Sequence, residues 1–301
     1  KSRESFNEDS FPQVGSIYLV TNALSSLLDH HFSAWPVPNA AGAVLTGDTT
    51  VATAGDHNRI FELASVTKLL SAYSFMVAVE EGVFDLDTVI TEQGATVRHL
   101  LSHAGGVGFR EEDPRKPVGM RRIYSSYGFE LLGDRLVSET QMGLGEYFTA
   151  AVFEPLGMVN TTLWGSPGHE ARSTVADLRR FVAEIMAPTL LDPATVSEMW
   201  TPQYPELNGI VPGYGMFKPC PWGLGFEIKG AKTPHWTGTK LPSDTVGHFG
   251  QSGTFVWVHP TTRRGAIVLT DRAFGEWAKP VWTRLNDELW QALATEPPTK
   301  F

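Results

Sequence analysis

Ser65 and Lys68 stand three residues apart at the head of an apolar run, and they are the first pair in the chain whose types suit chemistry. A serine hydroxyl is a poor nucleophile until a neighbour takes its proton, and a lysine one helical turn away can do so. Residues three apart share a helix face, so Lys68 is positioned to reach back to the Ser65 oxygen. A helix N-terminus also favours negative charge developing near the serine. Alone, S-x-x-K is a weak signal, equally compatible with a helix cap and an exposed lysine. Three further segments add polar groups. Tyr124-Ser125-Ser126 precedes an apolar helical pattern starting near Gly128. His248-Phe249-Gly250-Gln251-Ser252-Gly253 leads into a β-rich stretch. His99-Leu100-Leu101-Ser102-His103-Ala104-Gly105-Gly106 follows an acidic turn at 85–87.

The elements that must position these groups follow from periodicity. Residues 41–45 are apolar, Thr46-Gly47-Asp48-Thr49 is a turn signal, and 51–55 returns, which predicts a β-hairpin. A second hairpin is predicted from 254–259, a turn over 260–265 and a return over 266–270. Residues 276–293 have helical spacing, with Trp277, Val281, Trp282, Leu285, Leu289 and Trp290 on one side. Between these regions the chain reads as mostly helical. Residues 66–81 are apolar almost all round and end at Gly82, as expected of a buried, glycine-capped helix. Further helices are predicted over 97–102, 128–139, 145–153 and 175–186. Residues 201–221 hold five prolines and three glycines, an irregular stretch of the kind that forms lids, cleft walls or linkers.

The expected architecture is α+β. An antiparallel sheet is built from both chain ends and flanked by helices, with an inserted helical lobe. One domain spans 1–301, with an α/β lobe at about 14–60 plus 222–301 and a helical lobe at about 61–221. The groove between lobes is a preferred binding place.

Composition narrows the function classes. A hydrophobic content of 42% and a charged content of 19% describe a globular chain. The net charge of −9 argues against nucleic acid or an anionic membrane as main partner. Cys220 is the sole cysteine, so no internal disulfide forms. Pro219 and Pro221 hold it in a loop without a nearby histidine, which argues against a nucleophilic role. No stretch reaches the ~20 apolar residues of a membrane span, and the charged start over 1–10 is unlike a signal peptide. A soluble protein is expected, with the cytoplasm slightly favoured. The compartment stays open because the chain begins without methionine. Asp29-His30-His31 does not read as a metal site, since adjacent histidines on a helix diverge and no second ligand group follows at metal spacing. His103 reads as a structural histidine bonding neighbouring backbone. Trp164, Trp222 and Trp236 are candidates for a cleft wall.

In their order, these pieces resemble the serine β-lactamase and penicillin-binding superfamily. They look most like the branch holding class C β-lactamases, D-amino-acid-releasing peptidases and β-lactamase-like carboxylesterases. Ala64-Ser65-Val66-Thr67-Lys68 matches the nucleophile motif. Tyr124-Ser125-Ser126, running into Gly128-Phe129-Glu130-Leu131-Leu132-Gly133, matches the tyrosine motif. His248-Phe249-Gly250 matches the third motif, K-T-G in β-lactamases and H-x-G in several peptidases and esterases. Pro155-Leu156-Gly157-Met158 with Thr161-Thr162, and Trp222-Gly223-Leu224-Gly225-Phe226, support the match.

The resemblance implies an acyl-enzyme on Ser65, with Lys68 as base or fixed charge and Tyr124 passing the proton to the leaving group. It implies that Tyr124, beside Lys68 and His248, favours its phenolate form. His248 completes the catalytic set. The oxyanion would be held by the backbone N–H groups of Ser65 and Gln251, and Ser126 and Gly250 would contact substrate. Whether Lys68 or Tyr124 is the formal base stays open. No cofactor or metal is implied, and the substrate would be a small ester, amide or short peptide. Ser126 replaces the usual asparagine and His248 the usual lysine, which weakens the fixed positive charge suited to a β-lactam carboxylate. A carboxylesterase or peptidase/amidase-like hydrolase is therefore preferred. A β-lactamase or DD-peptidase, an acyltransferase, and a non-catalytic penicillin-binding-like sensor remain as alternatives.

Overall fold

The computed structural model describes residues 14–295, so the charged start over 1–10 lies outside the described residues. Helix α1 (Val14–Ala34) leads into strands β1 (Ala40–Thr46) and β2 (Thr49–Ala54), the predicted first hairpin. A short strand β3 (Phe61–Glu62) and a 3-10 turn (Ala64–Val66) run directly into α2 (Thr67–Glu80). The helical block continues through α3 (Val97–Leu101), α4 (Tyr127–Thr140) and α5 (Leu144–Phe148), the last prolonged by a π-helical turn (Thr149–Phe153). Short strands β4 (Thr162–Leu163) and β5 (Ala171–Ser173) precede α6 (Val175–Met186) and α7 (Pro193–Met199).

The 201–221 stretch is not wholly irregular. It contains a two-stranded ribbon, β6 (Gly209–Val211) and β7 (Gly215–Phe217). Strands β8 (Glu227–Ile228), β9 (Val246–Gly250), β10 (Thr254–His259) and β11 (Arg264–Thr270) follow, then α8 (Ala278–Ala294). Strands from both chain ends form one antiparallel sheet in the order β2-β1-β11-β10-β9-β8. The expected α+β fold is the one observed.

Both faces of this sheet are apolar, and side-chain alternation sorts them. Ala41, Ala43, Leu45, Val256, Val258, Ile267 and Leu269 join the core that contains α2 and α6. Val44, Phe255, Trp257, Ala266 and Val268 join a second core with α1 and α8, around Leu24, Leu28, Trp282, Leu285 and Leu289. Helix α2 runs through the first core with residues 67–78 all buried, which is why its sequence is apolar all round.

Val211, Tyr214 and Phe217 of the ribbon pack into the second core, and one arginine gathers the segments that flank the ribbon. The Arg122 guanidinium, 2% exposed, donates to four carbonyls: Cys220 O (2.8 Å), Ser102 O (2.7 Å), Gln203 O (2.9 Å) and Tyr204 O (3.0 Å). Its own N–H donates to Asn208 O at 2.8 Å. Burial lowers the guanidinium pKa to about 10, so the cation persists at neutral pH. Replacing it by an apolar side chain strands buried carbonyls, each of which is costly to leave unpaired. Arg122→Met is expected to lower unfolding free energy by about 3 kcal/mol or more. Urea denaturation measures this, and a loss below about 1 kcal/mol would show that the clasp is not structural.

Candidate active site

Ser65 lies in the 3-10 turn ahead of α2, not within the helix itself. Ala64, just before it, has φ of +47°, a region that non-glycine residues occupy only when surroundings enforce it. Those surroundings are visible. Thr254 Oγ1 donates to Leu63 O at 2.9 Å, and Ser252 Oγ donates to Glu62 O at 2.7 Å. Gly250 packs so closely that an added Cβ would strike Leu63 O and Thr254 Oγ1. Strand β9 pairs with β8 only through Val246 and Gly247, which leaves 248–250 free on that side to face the turn that carries Ser65.

Lys68 Nζ, fully buried, donates to Tyr124 Oη (2.9 Å), Ser126 Oγ (3.0 Å) and Gly168 O (2.7 Å). The Tyr124 phenol in turn neighbours the Ser65 hydroxyl, whose interaction draws the phenol's pKa down, and both line the same cavity. Ser65 precedes the α-helix that carries Lys68, and the phenol of Tyr124 lies next to both. Lys68 also sits 4.5 Å from the Tyr124 ring centroid.

Tyr124 is held by its neighbours. Ser125 Oγ donates to Gly108 O (2.6 Å) and accepts from Gly128 N–H (2.8 Å), while Ser125 N–H donates to His103 Nδ1 (3.1 Å). His103 therefore bonds neighbouring backbone, as expected of a structural histidine. Tyr127 packs under Arg115, away from this cluster.

The electrostatics differ from the expectation for Tyr124. Burial raises its phenol well above the ordinary value, more than the neighbouring Ser65 hydroxyl lowers it. The phenolate is therefore not the favoured resting form. Burial, assisted by the Lys68 charge, lowers His248 to about 4, so it is neutral and brings no charge to stabilise a phenolate. His248 Nδ1 donates to Phe249 O at 2.7 Å, which leaves Nε2 as a buried acceptor. Burial lowers Lys68 to about 7, against a smaller upward pull from Glu130.

Ser65, Tyr124, His248 and Gln251 line one cavity of about 150 Å³, with Phe109, Trp222, Glu227 and Phe249 among its other walls. Gln251 follows β9 directly and is clamped to Phe274 by two hydrogen bonds, Phe274 N–H to its carbonyl and its amide to Phe274 O. Ser126 and Gly250 do not line the cavity. The Ser126 hydroxyl faces Lys68, and Gly250 backs the turn that carries Ser65. Of the three tryptophans, Trp222 alone lines it; Trp236 is in the core and Trp164 is 49% exposed beside Glu62.

Two features carried no sequence signal. The loop at 165–170 supplies Gly168 O to Lys68 and Pro167 O to Ser71 Oγ (2.6 Å), and its Gly-Ser-Pro-Gly run marks only a turn. Glu227, 2% exposed, accepts from Trp236 Nε1 (2.7 Å) and His235 Nε2 (2.9 Å), with Lys232 Nζ at 3.4 Å. Burial pushes its carboxyl upward, but these partners more than offset that and hold it below the usual carboxylate range.

Comparison with known proteins yields a consistent set. The family model described as Beta-lactamase matches residues 33–289. A solved structure from Mycobacterium bovis, described as a beta-lactamase, is 46% identical with a TM-score of 0.86, covering 88% of this chain and 98% of that one. EstCE1, described as a hydrolase with promiscuous acyltransferase activity, shares the fold at TM-score 0.72 and 16% identity, covering 92% of this chain and 99% of its own. Among curated proteins, penicillin-binding protein 4* of Bacillus subtilis is 24% identical over 36% of this chain. That match spans 31% of the relative's length.

The Lys68 shift has a measurable consequence for stability. Between about 7 and the ordinary 10.5, the unfolded chain holds a proton that the folded protein has lost. Stability from this group therefore rises with pH across that window, and the burden is fully present below pH 7. Urea unfolding of wild type and Lys68→Met at pH 6 and pH 9.5 is expected to show wild type gaining on the variant at the higher pH. A difference independent of pH would contradict the neutral, buried amine.

Proposed function

The chain belongs to the beta-lactamase family, and on that premise we propose that it hydrolyses esters or amides through an acyl-enzyme on Ser65. The observation that carries this reading is a buried lysine with its pKa lowered to about 7, joined through Tyr124 to a half-buried serine. Neutral Lys68 has two N–H donors and one lone pair. As an ammonium Lys68 donates to all three oxygens; once neutral its two donors suit Gly168 O and Ser126 Oγ, and the lone pair then suits the Tyr124 proton.

As Ser65 attacks the carbonyl, its proton passes to the Tyr124 oxygen while the Tyr124 proton passes to Lys68 Nζ. The phenol is never left ionised, which its raised pKa demands. The new oxyanion lies against the N–H groups of Ser65 and Gln251. Collapse reverses the relay: Tyr124 protonates the leaving atom and takes a proton back from Lys68. Water repeats both steps and frees the acid. On this reading Lys68 is the base and Tyr124 the conduit.

His248 is neutral with a free acceptor, and the one ionised group among the cavity's walls is Glu227. Uncharged esters or amides suit this wall better than substrates with a carboxylate beside the scissile bond. β-Lactam hydrolysis is the second reading, favoured by the description of the 46% identical Mycobacterium bovis protein.

A fluorophosphonate probe is expected to label wild type and not Ser65→Ala. Lys68→Ala and Tyr124→Phe are each expected to slow acylation at least ~100-fold. For a p-nitrophenyl ester, kcat/KM should fall below an apparent pKa near 7, the Lys68 value. Labelling that survives Ser65→Ala refutes the nucleophile, and nitrocefin turned over faster than every ester would replace the first reading with the second.

A further inference from the structure

Beside the cavity, and sharing Phe109, Tyr124 and Pro212 with its lining, is a larger groove of about 460 Å³. That volume falls in the range of small-molecule sites, whereas the cavity at Ser65 is much smaller. A carbonyl held at Ser65 carries two substituents, so one fits the small cavity and the other has the groove.

The groove is unusual for its exposed apolar side chains. Ile210 (55% exposed) and Met216 (49%) are direct cross-strand partners on the ribbon β6–β7, and both line it. Phe109, 45% exposed, belongs to the same lining. Clustered exposed apolar side chains mark a binding surface more often than chance. Two cations, Lys116 and Arg121, also line the groove, and neither has an ion-pair partner among the described residues. Asp113 lies there too, but its carboxylate accepts the Arg110 N–H at 2.8 Å. Two unpaired cations on a chain of net charge −9 are a local reversal of sign.

We propose that this groove binds an extended apolar substituent of the substrate that ends in an anionic group. The apolar body lies along Phe109, Ile210 and Met216, and the anionic end meets Lys116 and Arg121. The substrate class is then an ester or amide with one small substituent and one amphiphilic one. This rests on the hydrolase reading for its place in a reaction, but the binding itself does not.

Calorimetric titration of wild-type protein with hexanoate, octanoate and decanoate tests it without turnover, since these carry the apolar body and anionic end of the proposed substituent and no scissile bond. Kd is expected to fall by roughly twofold or more per added methylene. Ile210→Ser/Met216→Ser is expected to weaken decanoate at least tenfold, with each single exchange giving part of the loss. Lys116→Gln/Arg121→Gln is expected to weaken it about tenfold at low salt and less at high salt. Binding indifferent to chain length, or a length dependence that survives the ribbon exchanges, overturns the apolar site. Unchanged affinity in the Lys116/Arg121 variant overturns the anionic end. Failure of the probe to label Ser65 would sink the hydrolase reading and leave this titration decisive on its own terms.

Discussion

A primary amine sealed from water is the constraint around which the site is organised. Taking an ammonium out of water is expensive unless it finds partners or gives up its proton. Lys68 does both: three oxygens surround it, and its pKa falls to about 7. Those oxygens come from two places far apart in sequence, the tyrosine segment at the head of α4 and the loop at 165–170, while the nitrogen itself is on α2. Placing one nitrogen therefore fixes the mutual position of three elements. The loop is held to α2 a second time, since Ser71 reaches Pro167 O and Thr67 Oγ1 accepts the Ala171 N–H.

The remaining charges near Ser65 are arranged so that few of them are bare. His248 and His103 are neutral, and Glu227 is ionised but enclosed by Lys232, His235 and Trp236. Aromatic rings fill the intervals, with Trp222 in ring contact with Tyr124, His103 and His248. Such walls exclude water and strengthen whatever polar contacts remain inside. An amine that titrates near neutrality and a phenol that stays protonated are what this environment produces.

Much of this was legible from residue patterns, for identifiable reasons. The two sheet hairpins have turn signals between β-rich runs, and α2 has unbroken apolar character, so short-range rules suffice. Helix α1 was not anticipated as an element. Helix α7, seven residues begun by Asp192 and Pro193, is too short for periodicity to register. The ribbon inside 201–221 hid behind its prolines and glycines. At the site, residue types pointed to Ser65, Lys68, Tyr124, His248 and Gln251 as partners, yet their protonation was not readable. Burial controls it, and burial belongs to the fold. Glu227 and Gly168 escaped because each is an ordinary residue locally, made relevant only by what packs against it.

The ribbon β6–β7 is held by the bridge between Arg122 and Gly209 and by the inward side chains of Val211, Tyr214 and Phe217, which join the second core. Its outward side chains take little part in holding it there. Drift at Ile210 and Met216 can thus proceed while the anchoring atoms stay constant. On the proposed reading, reactivity and selectivity reside in separately mutable parts, and a lineage could retune what it consumes without disturbing how it consumes it.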